Sequence, residues 1–105
     1  MAEVIWSLRA RQDLDGISAF IARTSPYYAQ RTELGIFERA SGSADRPGIG
    51  HMVQEIGDPM IREVAYKQYR IIHWLVSEHQ VAILAVIHGR RKLTRKLLRN
   101  PRRSS

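Results

Sequence analysis

The hydrophobic pattern of this chain changes from a helical to a strand period across residues 42–50 (GSADRPGIG), and that change limits what the chain can fold into. Before it, apolar residues recur at helical spacing: Ala10, Leu14, Ile17 and Ile21, then Ala29, Ile36, Phe37 and Ala40. After it come three runs rich in β-branched and aromatic residues, 60–66, 69–76 and 81–88, parted by Lys67-Gln68 and by residues 77–80. Connections that short imply hairpins, and so an antiparallel meander. The third run, VAILAVIH, is apolar on both faces, as expected of a strand with neighbours on either side.

Finer signals place the remaining elements. Val4, Ile5 and Trp6 mark a short strand over 3–7, and Ser7 is placed to cap a helix over 8–23. Gly16 inside that helix costs about 1 kcal/mol relative to alanine. Thr24-Ser25-Pro26 stops one helix and starts the next, with Ser25 as cap and Pro26 at the first helical position, where its missing N–H is no loss. The second helix is expected to reach about Ala40, burying Ala29, Ile36, Phe37 and Ala40, and the short link makes the pair an antiparallel helical hairpin. Beyond Gly89, Leu93, Leu97 and Leu98 recur at helical spacing in a segment too short to be stable alone. The order is β-α-α-β-β-β with a short C-terminal helix. That is an α+β fold, a helical hairpin packed on one face of a twisted antiparallel sheet. At 105 residues it forms a single domain, 1–105.

Charge is spread unevenly. The chain carries +7 overall, yet residues 1–89 hold nine Lys/Arg against all ten acids. The excess sits in the tail, 90–105, with Arg90, Arg91, Lys92, Arg95, Lys96, Arg99, Arg102 and Arg103. Such a tail attracts phosphate or an acidic protein partner, more weakly as salt rises. The plainer reading is a solubilising end. No cysteine is present, which excludes disulfides and thiolate metal sites and fits a reducing cytosol. The opening residues lack a basic stretch followed by an apolar one, and 81–87 is too short to cross a bilayer, so a cytoplasmic protein with no membrane association is expected. His51, His73, His79 and His88 show neither metal-ligand spacing nor a carboxylate cluster, and the lone GIG at 48–50 is a turn, so neither metal nor cofactor is expected.

These residues in this order resemble the RelE/ParE toxins nearly end to end. The first half supplies Trp6, Ala10, Asp13-Leu14, Ile17 and Ile21, then Ser25-Pro26, Tyr28-Ala29 and residues 36–40 (IFERA). The second half is more specific. Glu55 and Asp58-Pro59 lead into Ile61-Arg62-Glu63, then Tyr69-Arg70-Ile71-Ile72, then Val81, Ile83, Leu84 and Val86, closing on His88-Gly89-Arg90-Arg91. Residues 55–93 look like the ParE-type plasmid-stabilisation toxins in particular. The resemblance implies the toxin of a type II toxin–antitoxin system, bacterial and cytoplasmic, which binds DNA gyrase and stalls it with its DNA cleaved. It also implies a small cognate antitoxin that neutralises the toxin in a toxin–antitoxin hetero-oligomer.

The RelE branch of this superfamily instead cuts mRNA on the ribosome. That chemistry needs help in activating the ribose 2′-hydroxyl, cations for the charged transition state, and a donor for the leaving oxygen. The branch places basic residues on the strand before the Tyr-Arg pair, keeps that arginine and one just after the glycine, and often adds a terminal tyrosine. Arg70 and Arg91 match that pattern here, but the strand positions hold Ile61 and Glu63, and the tyrosine position holds Leu97. Arg62, Arg70 and Arg91 are thus candidate catalytic residues only for a ribonuclease. A binding inhibitor with no active site of its own is the favoured expectation. Thr32, Gly35 and Gly42-Ser43 depart from the family's usual apolar or helix-favouring residues, which would leave the second helix shorter or looser.

Candidates for contact with target or antitoxin are Arg62, Arg70, His88, Arg90, Arg91, Arg95, Lys96 and Arg99. Several have plainer readings. Arg62 and Glu63 suit a cross-strand ion pair at the sheet surface. Arg70, next to apolar Ile71, is either paired internally, with Glu63 of the neighbouring strand, or turned to a concave binding surface. His73 and His88 suit structural strand histidines, and His88 could also face a phosphate or acidic partner. Trp6 and Trp74 are expected in the core. The tail is expected to dock on the sheet through its leucines and to offer Arg90, Arg91, Arg95, Lys96 and Arg99, so that a chain cut after Gly89 keeps its strands. Direct nucleic-acid binding stays open.

Overall fold

Ser7 sets where the first strand ends and the first helix begins. In the computed structural model, which describes residues 2–46 and 48–98, β1 (Glu3–Trp6) runs up to this serine. Its hydroxyl oxygen accepts the Ala10 N–H at 3.0 Å and caps α1 (Leu8–Ala22). Ser25 does the same for α2 (Pro26–Ser41), accepting the Tyr28 N–H at 3.2 Å, with Pro26 in the first turn. A 3-10 turn (Gly42–Ala44) leads to β2 (His51–Met52), β3 (Ile61–Tyr66), β4 (Tyr69–Ser77) and β5 (Gln80–His88), and a last 3-10 turn spans Arg95–Leu98.

The strands line up in the order β1-β5-β4-β3-β2. β3, β4 and β5 form the expected meander, and β5 is interior, as its two apolar faces require. β1 lies parallel to β5, with Glu3 opposite Gln80 and Trp6 opposite Ile83, so the sheet is mixed where a wholly antiparallel one was expected. The long connection that a parallel pair needs is supplied by the helical hairpin, which carries the chain to β2 at the far edge, and by the meander that returns from it. β2 is a two-residue edge on β3, too short to show a period in the sequence.

The hairpin covers one face, α1 over β5 and α2 against β3. Ala10, Ile36 and Ala40 close there on Val64, Ile71, Val81, Ile83 and Val86. Ile83 and Val86 reach the same core, although three apart, because the register slips between Ile72 and His73. Leu84 is then an extra residue, and both Leu84 and Ala85 turn to the other face. That second face has its own cluster, in which Val53, Ile56 and Leu93 close over Ile72, Ala85 and Ile87.

Leu93 is only 3% exposed, so the start of the tail belongs to the core. This weighs against the expectation that a chain cut after Gly89 keeps its strands, because the cut removes Leu93, one of the three residues that close over Ile72 and Ile87. Docking through the leucines holds for Leu93, and Leu98 packs beside it. The Leu97 side chain and the candidate Arg99 lie outside the described residues.

Other expectations shift as well. α2 keeps its full 16 residues despite its unusual composition. Thr32 is buried, the buried Ser43 hydroxyl donates to the Ala40 carbonyl at 2.6 Å, and Gly35 makes room for Tyr66, whose ring a Cβ at that position would strike. Phe37 is half exposed, lying parallel to the Trp6 ring at 5.9 Å instead of beneath the helix. Trp74 is 40% exposed. It shares the tail-side face with Ile72 by strand alternation, but it is not part of the cluster that Val53, Ile56 and Leu93 close.

α1 also finishes the sheet edge. Beyond Trp6, the side of β5 away from β4 has no strand on it. The Ser7 N–H donates to the Ile83 carbonyl at 2.9 Å, the Ser7 hydroxyl donates to the Leu84 carbonyl at 3.1 Å, and Asp13 Oδ2 accepts the Val86 N–H at 2.9 Å. Asp13 Oδ1 meanwhile accepts Arg9 Nε at 2.9 Å, so this carboxylate is fixed from both sides.

Candidate functional site

Arg70 stands on β4 on the face away from the helices, opposite Ala65, with Glu63 one diagonal step along β3. That diagonal is within reach of long side chains. Arg70 Nε and Nη2 donate to Glu63 Oε1 and Oε2, both at 2.7 Å. On its other side Nη1 and Nη2 donate to Glu55 Oε2 and Oε1 at 2.9 and 3.1 Å. The remaining N–H of Nη1 meets the Arg91 carbonyl at 3.0 Å. A guanidinium has five N–H donors, and all five are engaged here. Of the two expectations for Arg70, internal pairing holds, with Glu55 as a second partner that sequence reasoning did not assign.

Glu55 ties this hub to the tail. Its Oε2 also accepts the Leu93 N–H at 3.2 Å. The hydrogen bonds from Arg70 hold the Glu55 carboxyl well below its usual range, at about 2. Burial opposes this, and the Glu55 and Leu93 backbone N–H groups add to it. Arg70 is pushed further up by Glu63 first and Glu55 second. A phosphate approaching Arg70 would have to displace a carboxylate and then face two of them. The cluster therefore suits holding the loop, strand and tail together better than binding an anion.

The other candidates divide between structural and exposed positions. Arg62 points to the loops, where Nη2 donates to the Gly50 carbonyl at 2.8 Å and Nη1 to the Pro59 carbonyl at 3.5 Å, while the cross-strand ion pair expected for Glu63 forms with Arg70. His88 is exposed. Its ring meets Tyr69 edge-on at 6.4 Å, and Nδ1 accepts the Arg90 N–H at 3.2 Å, which fixes the turn. Arg90, Arg91, Arg95 and Lys96 are exposed together with Lys92, and Arg95 Nη2 reaches the Ile56 carbonyl at 3.2 Å. The structure thus brings Arg70 and the Arg91 backbone together and leaves Arg62 apart from both.

Several large apolar side chains lie apart from the charged contact candidates, on the hairpin that is expected to receive the antitoxin. Phe20, Tyr27, Tyr28, Leu34 and Phe37 are all exposed on the hairpin. Of these, Leu34 also lines a groove of about 530 Å³ between α2 and β3, with Arg31, Gly35, Glu38, Arg39 and Tyr66. The signal for the exposed rings was present in the sequence: Phe20 lies off the Ala10–Leu14–Ile17–Ile21 stripe, and Tyr27-Tyr28 opens α2 where the chain is still turning. Among the described residues no cluster of His, Asp or Glu could hold a metal ion, and no helix is long and apolar enough to cross a membrane.

Comparison with known proteins agrees with this architecture. A solved structure described as the chromosomal ParDE TA system from P. aeruginosa superimposes with a TM-score of 0.68 over 84% of this chain and 96% of that one, at 19% identity. That likeness establishes the shared fold. The Toxin RelE2 of Caulobacter vibrioides is 31% identical over 91 residues, which cover 87% of this chain and 99% of that toxin. The profile of the family described as "ParE toxin of type II toxin-antitoxin system, parDE" matches residues 4–93, nearly the whole described chain. On these grounds the chain belongs to the ParE toxin family, within the RelE/ParE superfamily.

Proposed function

We propose that this chain is a type II toxin that inhibits DNA gyrase by binding it, cleaves no RNA, and is kept inactive by a cognate antitoxin in a hetero-oligomer. The observation that supports the binding reading best is the state of Arg70. The arginine that a ribonuclease of this superfamily would turn to the phosphate is held here by two carboxylates and a carbonyl. Glu63, at a position where a cation would be needed, is one of the two carboxylates that hold it. Arg62 is drawn to the loop carbonyls, which leaves Arg91 alone of the three. An electrostatic clamp on a developing charge needs several donors aimed at one point.

The antitoxin reading rests on the hairpin. Exposed aromatic residues on the hairpin and a groove lined by Leu34 and Tyr66 with Arg31, Arg39 and Glu38 suit an amphipathic segment docking helix-in-groove, and the basic end suits an acidic one, with the short sheet edges open to strand addition. Such an interface should bury more than about 1,000 Å² in total.

Purified toxin should abolish supercoiling by gyrase and trap cleaved DNA, while mRNA in a translating extract stays intact. Codon-specific cleavage of that mRNA with gyrase untouched would replace this reading with the ribonuclease one. Co-expression with the antitoxin encoded beside it should give a complex on size exclusion and restore supercoiling.

A further inference from the structure

Five of the eight cations of the basic tail are displayed on a built surface. Arg90, Arg91, Lys92, Arg95 and Lys96 are all exposed in the segment after β5. The backbone beneath them is tied down at several points. The Arg90 N–H donates to His88 Nδ1 at 3.2 Å and the Arg91 N–H to the His88 carbonyl at 3.0 Å, the Arg91 carbonyl accepts from Arg70, and Leu93 is buried in the tail-side core. Glu55 and Glu63, which Arg70 holds beneath this segment, already share a cation. None of the five pairs with a carboxylate among the described residues.

What this ridge lacks is as informative. Its one apolar side chain from His88 to Lys96 is Leu93, and that points inward. Stable protein interfaces depend on a few buried aromatic or aliphatic anchors, which the hairpin offers and this ridge does not. Neutralising phosphate needs only fixed cations, since counterion release supplies the free energy and no apolar anchor is required.

We propose that the ridge from Arg90 to Lys96 binds the phosphate backbone of nucleic acid without regard to base sequence. The proposal is independent of which enzyme the toxin inhibits, because it concerns the chain alone with a nucleic acid. In a gyrase complex with cleaved DNA such a ridge would hold the toxin near the strand.

The test uses the full chain and a labelled DNA duplex, followed by fluorescence anisotropy between about 50 and 200 mM salt. Arg90→Gln, Lys92→Gln and Lys96→Gln are combined, which spares Arg91 and Arg95 and their contacts. The control combines Arg11→Gln, Arg23→Gln and Arg46→Gln, three exposed cations on the other side of the chain, for the same change in net charge. The wild-type chain should bind with a steep salt dependence. The ridge variant should lose roughly tenfold or more in affinity, and its log–log salt slope should shrink by roughly 2.7, about 0.9 for each of three lost contacts. The control should keep its slope. A single-stranded RNA probe separates the phosphate sources, with a shallower slope of about 0.7 per contact, and ridge-dependent binding of either probe supports the proposal. Equal losses in both variants would show diffuse charge attraction and overturn it, as would no binding of either probe at the lowest salt. Tighter binding of polyglutamate than of duplex, through the same three residues, would reassign the ridge to an acidic protein.

Discussion

On the helix side of the sheet, small and aliphatic residues of α1 and α2 close over Val64, Ile71 and Val81, and the outer surface shows aromatic rings. On the tail side, three apolar residues from loop and tail cover Ile72 and Ile87, an arginine held by two glutamates locks them in place, and the outer surface shows cations. The first closure is non-directional, scales with buried area and responds little to salt or pH. The second depends on geometry and on the ionisation of two carboxylates. The two sides should therefore fail under different stresses and recognise different partners.

The largest effect should come from the helix side. Ile36→Ala is expected to remove about 3 kcal/mol, because it opens a cavity at the centre of the larger core. Urea unfolding should show the loss in every probe at once, and a change below about 1 kcal/mol would mean that this cluster does not carry the fold. Arg70→Met should lose about 2–3 kcal/mol, mostly from leaving Glu55 and Glu63 uncompensated in a partly buried site. Its signature is local: amide exchange should quicken in residues 91–98 and 53–57 while α1 and α2 stay protected. Uniform acceleration would show that the two sides are one cooperative unit.

A smaller effect carries a sign that pH can reveal. The Glu55 carboxyl is lowered from 4.5 to about 2 by folding, so its contribution is complete above about pH 4.5 and fades as pH falls towards 2. Glu55→Gln should cost about 1 kcal/mol at neutral pH, discounted for its exposure to solvent. The gap between variant and wild-type melting temperatures should then close on acidification. A gap that persists at pH 2 would assign the loss to packing.

The smallest pair compares two glycines on the same hairpin. Nothing stands near Gly16, so Gly16→Ala should stabilise α1 by about 0.5–1 kcal/mol. Gly35→Ala gains the same helix propensity but drives Tyr66 from its seat, and its net effect should have the opposite sign. Thermal melts of the two variants check this directly.

The sequence was most legible where one residue carried one signal. Ser7, Ser25 and Pro26 marked both helix starts, and the two-faced apolarity of 81–88 placed β5 inside the sheet. Arg70's pairing with Glu63 followed from strand adjacency. Its pairing with Glu55 did not, because Glu55 lies in a loop without a period, 15 residues away in the chain. Trp74 and Phe37 were misplaced for a related reason. Hydrophobicity shows that a residue prefers cover, but only tertiary structure shows whether cover exists at that end of a face. The ridge was visible as composition, whereas its anchoring by Leu93 and Arg70 required the fold.

The pairing of β1 with β5 has a consequence in time. Glu3 and Gln80 are 77 residues apart in sequence, and β1 has no strand partner until β5 has been made. Contacts of such separation are slow to form, because a long loop must close before they return any free energy. At about 5–20 residues per second of synthesis, the first strand waits roughly 4–15 seconds for its neighbour. A nascent chain that stalls before Gln80 can form the helical hairpin but cannot complete the sheet beneath it. Toxicity is in this sense deferred until β5 has been synthesised, and a message interrupted before it yields a fragment without the finished fold.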